Sequence, residues 1–374
     1  MGADLAVQRN SGRNFKGDAH EKPRLAGLIF GKIAPSSGGT FRLDESHPEH
    51  KTPRRCPMTP TRSTQGYLAA LISAVFLSTT SIFIRHLVTE FAMPPLVLAF
   101  WRNVFVVTTL VPILLATSPR LLRVDRAHLP FLALFGLMLA GFNGLWAISV
   151  ASNGAAVATV MVYCSVAYTA ILGWKFLGER MDGLKIAAIA LCLGGCALIS
   201  GALQAATWQA NFLGVVAGLL TGLCYTAYSL MGRVTSERGL SPWTTLLYIF
   251  AFAGFFLLLI NLTAGRVPGS AARPADMLWL GESIEGWTVM FLLGAIPTVG
   301  GYGFYNVSLG LLDASVANII VSLEPAFTAV FAYLILGEVM TPIQLVGSAL
   351  LLTGVGVIKL AELRRGPAPV LREA

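Results

Sequence analysis

Ten long apolar segments constrain the fold of this 374-residue chain more than any other feature of its sequence. Each approaches the ~20 residues that an α-helix needs to cross a hydrocarbon core of ~30 Å. Because such a core holds no water to satisfy backbone polar groups, segments of this kind must fold as helices. The sequence therefore predicts an all-α polytopic membrane protein with ten transmembrane helices. The predicted spans are 66–86, 96–117, 129–150, 155–174, 184–203, 211–231, 243–264, 287–309, 316–336 and 342–361.

Charged residues are scarce in the chain and are concentrated near its N-terminus. Asp, Glu, Lys and Arg make up 12% of all residues, whereas soluble domains contain about a quarter. Residues 1–65 hold 11 of the 27 Lys and Arg and 6 of the 19 Asp and Glu. We interpret them as a disordered basic tail, with translation from Met58 as an alternative start. The remaining basic residues form no basic face, which argues against a nucleic-acid partner.

The distribution of Lys and Arg between alternate loops predicts the orientation of the chain. If the N-terminus is cytoplasmic, the cytoplasmic loops with the span ends beside them and the C-terminal residues from Lys359 onwards, which include the tail 362–374, together carry 12 Lys and Arg. The opposite loops carry 3, namely Arg85, Arg266 and Arg273. This bias predicts a multi-pass protein of the cytoplasmic membrane with both termini in the cytoplasm.

An internal repeat relates the two halves of the chain. Val157–Glu179 recurs imperfectly as Val316–Glu338, 159 positions later, and both copies end in Leu-Gly-Glu. Each half has five spans, an odd number, so the second half enters the membrane in the opposite orientation. The sequence predicts two inverted five-helix repeats, 66–203 and 211–361. In secondary transporters such a repeat places the binding site near the midplane between the halves.

Two ionisable residues lie well inside predicted spans and are the first candidates for function. Glu324 is expected ~12 Å deep in the ninth span, beside a kink at Pro325. It is predicted either to bind a cation or a proton, or to brace the kink. Arg102 lies ~9 Å from the outer end of the second span. It is predicted to bind a carboxylate or phosphate on a substrate, to pair with Glu324, or to bond backbone carbonyls.

Polar aromatic and amide side chains are concentrated in the third, fourth and eighth spans. An apolar cavity with a few polar groups suits a small organic ligand, although single aromatics also serve helix packing. The further residues predicted to contact substrate are Asn143, Trp146, Tyr163, Tyr302, Tyr305 and Asn306.

The two Leu-Gly-Glu ends are predicted to mark helix ends and gating rather than substrate contacts. Gly178 and Glu179 follow the fourth span in a basic loop that we expect to be cytoplasmic. Gly337 and Glu338 follow the ninth span in a loop without Lys or Arg, expected on the outside. Pro325 is assigned to the same gating role.

No enzyme or metal motif stands out from this sequence. There is no phosphate-binding loop, nucleophile elbow or His cluster, so an enzyme is not predicted. Four of the five cysteines lie in apolar spans and are interpreted as small buried hydrophobes. No cofactor is predicted, and coupling to protons stays open.

The sequence resembles the EamA-type members of the drug/metabolite transporter superfamily over residues ~66–361. The resemblance is carried by the ten spans, the inverted repeat, Phe176-Leu177-Gly178-Glu179, Ile335-Leu336-Gly337-Glu338, Ser322-Leu323-Glu324-Pro325 and Arg102. The family often has a proline in the fourth span, where this chain has Cys164-Ser165-Val166, which puts the kinking of that helix in doubt.

The resemblance implies a secondary transporter with a central cavity lined by both halves. Family members export amino acids, other metabolites or toxic organic compounds, and others move nucleotide sugars or related solutes. We expect an exporter of small organic metabolites that works by alternating access in a lipid bilayer. The alternatives are a solute exchanger of the same superfamily and a non-transporting sensor or assembly protein. The oligomeric state, a homodimer included, stays open.

Overall fold

The fold is known from a computed structural model that describes residues 60–177, 182–200, 205–312 and 314–365. The described residues contain helices, turns and loops, and no strand among them. Gly178 and Glu179, Cys56 and most of the predicted tails lie outside the described residues. The first helix begins at Pro60, before position 66, where the first span is predicted to begin.

Thirteen α-helices make up most of the described chain. They are α1 Pro60–Glu90, α2 Pro95–Thr117, α3 Leu129–Asn153, α4 Ala155–Val162, α5 Cys164–Leu177, α6 Gly183–Ile199, α7 Ala205–Glu237, α8 Pro242–Asn261, α9 Ile284–Leu293, α10 Gly301–Leu311, α11 Ala314–Val321, α12 Glu324–Leu336 and α13 Pro342–Arg365. A π-helical segment, Gly294–Gly300, joins α9 to α10, and short 3-10 helices lie at Pro119–Leu122, Arg126–His128 and Pro274–Leu278.

Each predicted span coincides with helix in the described part of the chain. Seven helical stretches there are long and apolar enough to cross a membrane, and three further apolar helices are shorter. Large apolar side chains such as Leu115, Phe255 and Leu334 are exposed on the outside of the bundle. Such a surface suits contact with lipid chains. The protein is therefore a multi-pass helical membrane protein, while its division into ten inverted spans stays a prediction.

The bundle has two recognisable ends, which are named here after one residue each. At the Glu338 end, Glu338 contacts Arg85 of α1 and the start of α4. At the Arg238 end, the Arg238 guanidinium lies over the ring of Phe131, near the start of α3. The sequence predicts that the Arg238 end faces the cytoplasm.

The fourth and ninth spans are both broken, at matching positions of the repeat. The fourth span breaks at Tyr163, between α4 and α5, and the ninth breaks at Ser322 and Leu323, between α11 and α12. The doubt raised by the missing proline in the fourth span was misplaced, because that helix breaks without one. Tyr163, at this break, forms a hydrogen bond with Glu324, as described below.

Glycines allow the close approach of α6 and α13. A Cβ added at Gly195 would lie 2.6 Å from the Gly347 carbonyl oxygen, and one at Gly347 would lie 2.8 Å from that of Gly195. No side chain fits between two backbones at this distance. Gly195 and Gly347 therefore allow α6 and α13 to pack backbone against backbone.

Candidate binding site

The two broken helices meet at their breaks, and a hydrogen bond joins them. The Tyr163 hydroxyl donates to Oε2 of Glu324 across 3.2 Å. Glu324 is the first residue of α12, where the free N–H groups of a helix favour negative charge. The interrupted backbone thus places a carboxylate between the halves of the molecule, where the sequence predicted one.

Arg102 is buried at 6% exposure and is surrounded by neutral groups. Its Nη1 donates to Oδ1 of Asn143 over 3.4 Å, and both Nε and Nη2 lie 3.4 Å from Oγ1 of Thr298. Its guanidinium carbon also lies 5.4 Å from the centre of the Trp146 ring. These hydrogen bonds are long for charged donors. The cation is positioned but not neutralised by these partners.

Arg102 and Glu324 interact electrostatically without forming an ion pair. In the described part of the chain, no nitrogen–oxygen contact of 4.0 Å or less joins them. The predicted alternative of a direct pair is therefore wrong for this conformation. Both charges remain available to a third group that fits between them.

A wall of aromatic rings lies beside the two charges. Phe142 stacks on Trp146 with ring centroids 5.8 Å apart, and Tyr225 stacks on Tyr228 at the same distance. Phe142 joins the two pairs through Tyr225 at 5.3 Å. Tyr225 is close enough to interact electrostatically with Glu324. The wall gives the site an apolar, flat boundary.

The remaining predicted residues lie next to this site. Tyr302 interacts electrostatically with Arg102 and Glu324, and it forms a hydrogen bond with Tyr228. Tyr302, Tyr305 and Asn306 line a neighbouring pocket that extends towards Leu240 at the Arg238 end. Arg102, Asn143, Trp146, Tyr163, Tyr302 and Glu324 are therefore brought together, whereas Tyr305 and Asn306 are displaced towards one end.

Three residues of the candidate site were not predicted from the sequence, namely Tyr225, Tyr228 and Thr298. Tyr225 and Tyr228 lie in an apolar span where nothing distinguishes a cavity-facing ring from one that faces lipid. Thr298 follows Pro297 within the π-helical segment. A proline inside a span was a usable signal, because irregular helix turns of this kind often occur at functional positions.

A second cluster of charges lies at the Glu338 end. Nε of Arg85 lies 3.0 Å from Oε1 of Glu338, and Nη1 of Arg85 donates to the Ala151 carbonyl over 2.6 Å. The Glu338 carboxylate accepts hydrogen bonds from the Ala155 amide at 2.9 Å and the Ala156 amide at 3.4 Å. One carboxylate thus ties α1 to the start of α4.

Glycine geometry makes this contact compatible with the backbone. Gly337 ends α12 in the left-handed region, at φ 66°, and Gly154 joins α3 to α4 at φ 85°. Most other residues are strained in these conformations. Both glycines stand directly beside the groups that contact each other, since Gly154 precedes Ala155 and Gly337 precedes Glu338.

A helical bundle with broken spans and charged groups inside it is typical of membrane proteins that transport small molecules. The profile of the EamA-like transporter family matches this chain twice, over residues 64–201 and 212–360. The chain belongs to this family, a transporter family of the drug/metabolite transporter superfamily. The two matches correspond to the two repeats.

Curated relatives share about a quarter of their residues with this chain. An uncharacterized transporter of Archaeoglobus fulgidus is 26% identical over 78% of this chain and 94% of its own length. A probable terminal-alkyne amino-acid exporter of Streptantibioticus cattleyicolor is 27% identical over 68% and 82%. A probable amino-acid metabolite efflux pump of Escherichia coli is 25% identical over 70% and 84%. These relatives are all named for transport.

A solved crystal structure has a similar fold. It superimposes with a TM-score of 0.51 and 16% sequence identity, and covers 81% of this chain and 99% of its own. Similarity at this level of identity concerns the fold alone.

Proposed function

We propose that this protein exports small zwitterionic metabolites of the amino-acid type by alternating access. The observation that carries the proposal is the pair of charges Arg102 and Glu324, which lie near each other inside the bundle without forming an ion pair. An α-amino acid carries a carboxylate for Arg102 and an ammonium group for Glu324. A bound zwitterion would satisfy both charges, which compensates the cost of keeping them away from water.

The surroundings of the charges support a small organic substrate. The stacked rings of Phe142, Trp146, Tyr225 and Tyr228 give the cavity an apolar wall, and a few polar groups next to such a wall orient a ligand. The names of two relatives, an amino-acid exporter and an amino-acid metabolite efflux pump, point to the same class of solute.

The packing of the helices supports an inverted repeat. Among the described helices, α3 packs along α7, and α1 packs along α10. In the predicted repeats α3 corresponds to α10 and α7 corresponds to α1, so the second contact is the repeat copy of the first. The pairs α6–α13 and α2–α8 are each formed by corresponding helices of the two halves. This is the packing expected of a pseudo-twofold axis in the membrane plane.

Alternating access is supported by the difference between the two ends. Glu338 and Arg85 hold the Glu338 end closed, while the pocket beside Tyr302 reaches Leu240 and Pro242 at the Arg238 end. If both termini lie in the cytoplasm, as the sequence predicts, the open end of this conformation faces the cytoplasm. Substrate then binds from the cytoplasm and leaves after the Arg85–Glu338 pair has opened.

The experiment that tests this function is counterflow in proteoliposomes. Vesicles preloaded with an unlabelled neutral amino acid should accumulate the labelled form, and the Glu324→Gln and Arg102→Gln variants should each lose most of this uptake. Glu282→Gln and Arg266→Gln, which alter exposed loop residues, serve as matched controls. Absence of counterflow for every amino acid tested would contradict the proposal.

A further inference from the structure

The pocket beside Tyr302, here called the side pocket, has so far been considered only as an opening towards the Arg238 end. It lies between α3, α7, α8 and α10 and has a volume of about 320 Å³. Tyr228 and Tyr302 line the side pocket, and Tyr302 also interacts electrostatically with both Arg102 and Glu324. A molecule held by those two charges therefore lies directly beside the side pocket.

The walls of the side pocket are mixed in polarity but carry no charge. Its lining includes the apolar side chains of Phe135, Leu246 and Ile249, together with several hydroxyl groups and one amide. No Asp, Glu, Lys, Arg or His is among its lining residues. An ionised group placed there would lose its hydration without gaining a partner. The occupant that suits these walls is uncharged.

Thr245 contributes a buried hydroxyl group that lacks a partner. The residue is 8% exposed, lines the side pocket, and its Oγ1 forms no hydrogen bond in the structure. The hydroxyls of Ser229 and Thr235, in contrast, donate to backbone carbonyls of α7. Buried polar groups are nearly always paired, so the free hydroxyl of Thr245 indicates a partner that comes with the ligand.

Gly232 keeps the side pocket wide. A Cβ added at this position would meet only the ring of Phe135, at 3.9 Å, which is an ordinary van der Waals contact. The absence of a side chain here is therefore not required by close packing. A longer side chain at this position would project into the pocket and reduce its volume.

We propose that the side pocket receives the uncharged side chain of the transported molecule and that Thr245 selects side chains with a hydrogen-bonding group. The inference rests on the proposed function, because it assumes that Arg102 and Glu324 hold the zwitterionic end. Thr245 and Gly232 are then specificity-determining residues. Neither contacts the ammonium or carboxylate group of the substrate.

The test compares substrates of matched shape in the proteoliposome assay. Threonine and valine differ by one hydroxyl group, so the wild type should prefer threonine. Thr245→Val should reduce the threonine-to-valine ratio by about tenfold, the usual effect of one lost buried hydrogen bond, and Thr245→Ser should keep the ratio. Gly232→Leu should reduce uptake of phenylalanine relative to glycine by about tenfold or more, and Gly232→Ala should change it little.

Because the readout is a ratio, differences in the amount of folded variant cancel. The inference would be overturned if Thr245→Val left the threonine-to-valine ratio unchanged and Gly232→Leu left the phenylalanine-to-glycine ratio unchanged. It would also be overturned if both variants reduced the uptake of all substrates equally. Lysine or glutamate competing as well as threonine in the wild type would overturn it too. These outcomes leave the proposed function standing. A wild type that transports no amino acid would refute the proposed function, and this inference with it.

Discussion

At the residue scale, Glu324 combines three features that set its chemistry. It begins α12, it accepts a hydrogen bond from Tyr163, and it is separated from Arg102 by more than ion-pair distance. The free amides of the helix start favour a negative charge at this position. A carboxylate placed there is suited to bind an ammonium group.

Replacement of this carboxylate by an amide is the direct test of its role. Glu324→Gln should abolish transport or make it independent of pH, because the amide neither ionises nor balances an ammonium group. The measurement is initial uptake into proteoliposomes across a range of external pH.

Tyr163→Phe is the matched control, since it removes only the hydrogen bond to Glu324. It should weaken transport by roughly five- to tenfold while the dependence on pH persists, as for a neutral hydrogen bond of about 1 kcal/mol. Unchanged uptake by Glu324→Gln at every pH would show that Glu324 only braces the helix.

Individual site residues could be predicted from the sequence where the side chain is of a type rarely found inside a membrane. A charge inside an apolar span is costly, so Arg102 and Glu324 stood out from the sequence. Tyr225 and Tyr228 did not, because an aromatic ring is equally stable against lipid and against another ring. The contact between Tyr163 and Glu324 joins residues 161 positions apart and depends on the packing of the two halves.

At the element scale, the two broken spans differ in whether a proline lies beside the break in the helix. In the ninth span, Pro325 occupies the first turn of α12. Backbone N–H groups in a first turn have no acceptor within the helix, so a proline costs no hydrogen bond there. In the fourth span, the break at Tyr163 has no proline at all. We infer that packing between the spans maintains both breaks, since only one of them has a proline beside it.

Pro325→Ala should accordingly preserve the break and the activity. We expect a loss of about 1–2 kcal/mol in the free energy of unfolding, the effect of removing two buried methylene groups, with transport close to wild type. Thermal unfolding in detergent and counterflow are the measurements. A loss of transport as complete as that of Glu324→Gln would mean that the proline itself creates the site.

The glycines of α13 provide a test of helix packing within one helix. Gly347→Ala should destabilise the protein by about 1–3 kcal/mol, because the added methyl group meets the backbone of α6. Gly356→Ala is the matched control, since an added Cβ there meets nothing within 4 Å. Equal thermal stability of the two variants would contradict the described contact of α6 with α13.

At the scale of the whole molecule, we propose that the ion pair between Arg85 and Glu338 holds one end closed. The sequence predicted a gating role for Glu338 from its place in the repeat, but it gave no indication of the partner. Arg85 was counted only as a loop charge. The pair forms because Gly337 turns the chain at the end of α12 and brings Glu338 onto the amides at the start of α4.

Removal of this pair should open the Glu338 end more often. A cysteine at Ser81, a buried position one turn from Arg85, should react slowly with an impermeant maleimide applied outside cells. Arg85→Gln should raise the reaction rate by roughly three- to tenfold, since it removes a partly exposed ion pair and a charged hydrogen bond. Arg266→Gln, in the same background, should leave the rate unchanged, and equal rates in all three proteins would refute the gating role.

The central claim is that Arg102 and Glu324 bind opposite ends of one zwitterion, and binding of three related ligands tests it most directly. The ligands are a neutral amino acid, the amine that lacks its carboxylate, and the acid that lacks its amino group. Arg102→Gln should weaken binding of the amino acid and of the acid about tenfold or more, and should leave binding of the amine unchanged. Glu324→Gln should weaken binding of the amino acid and of the amine, and should leave binding of the acid unchanged. If both variants weaken all three ligands equally, the two residues do not divide the substrate between them.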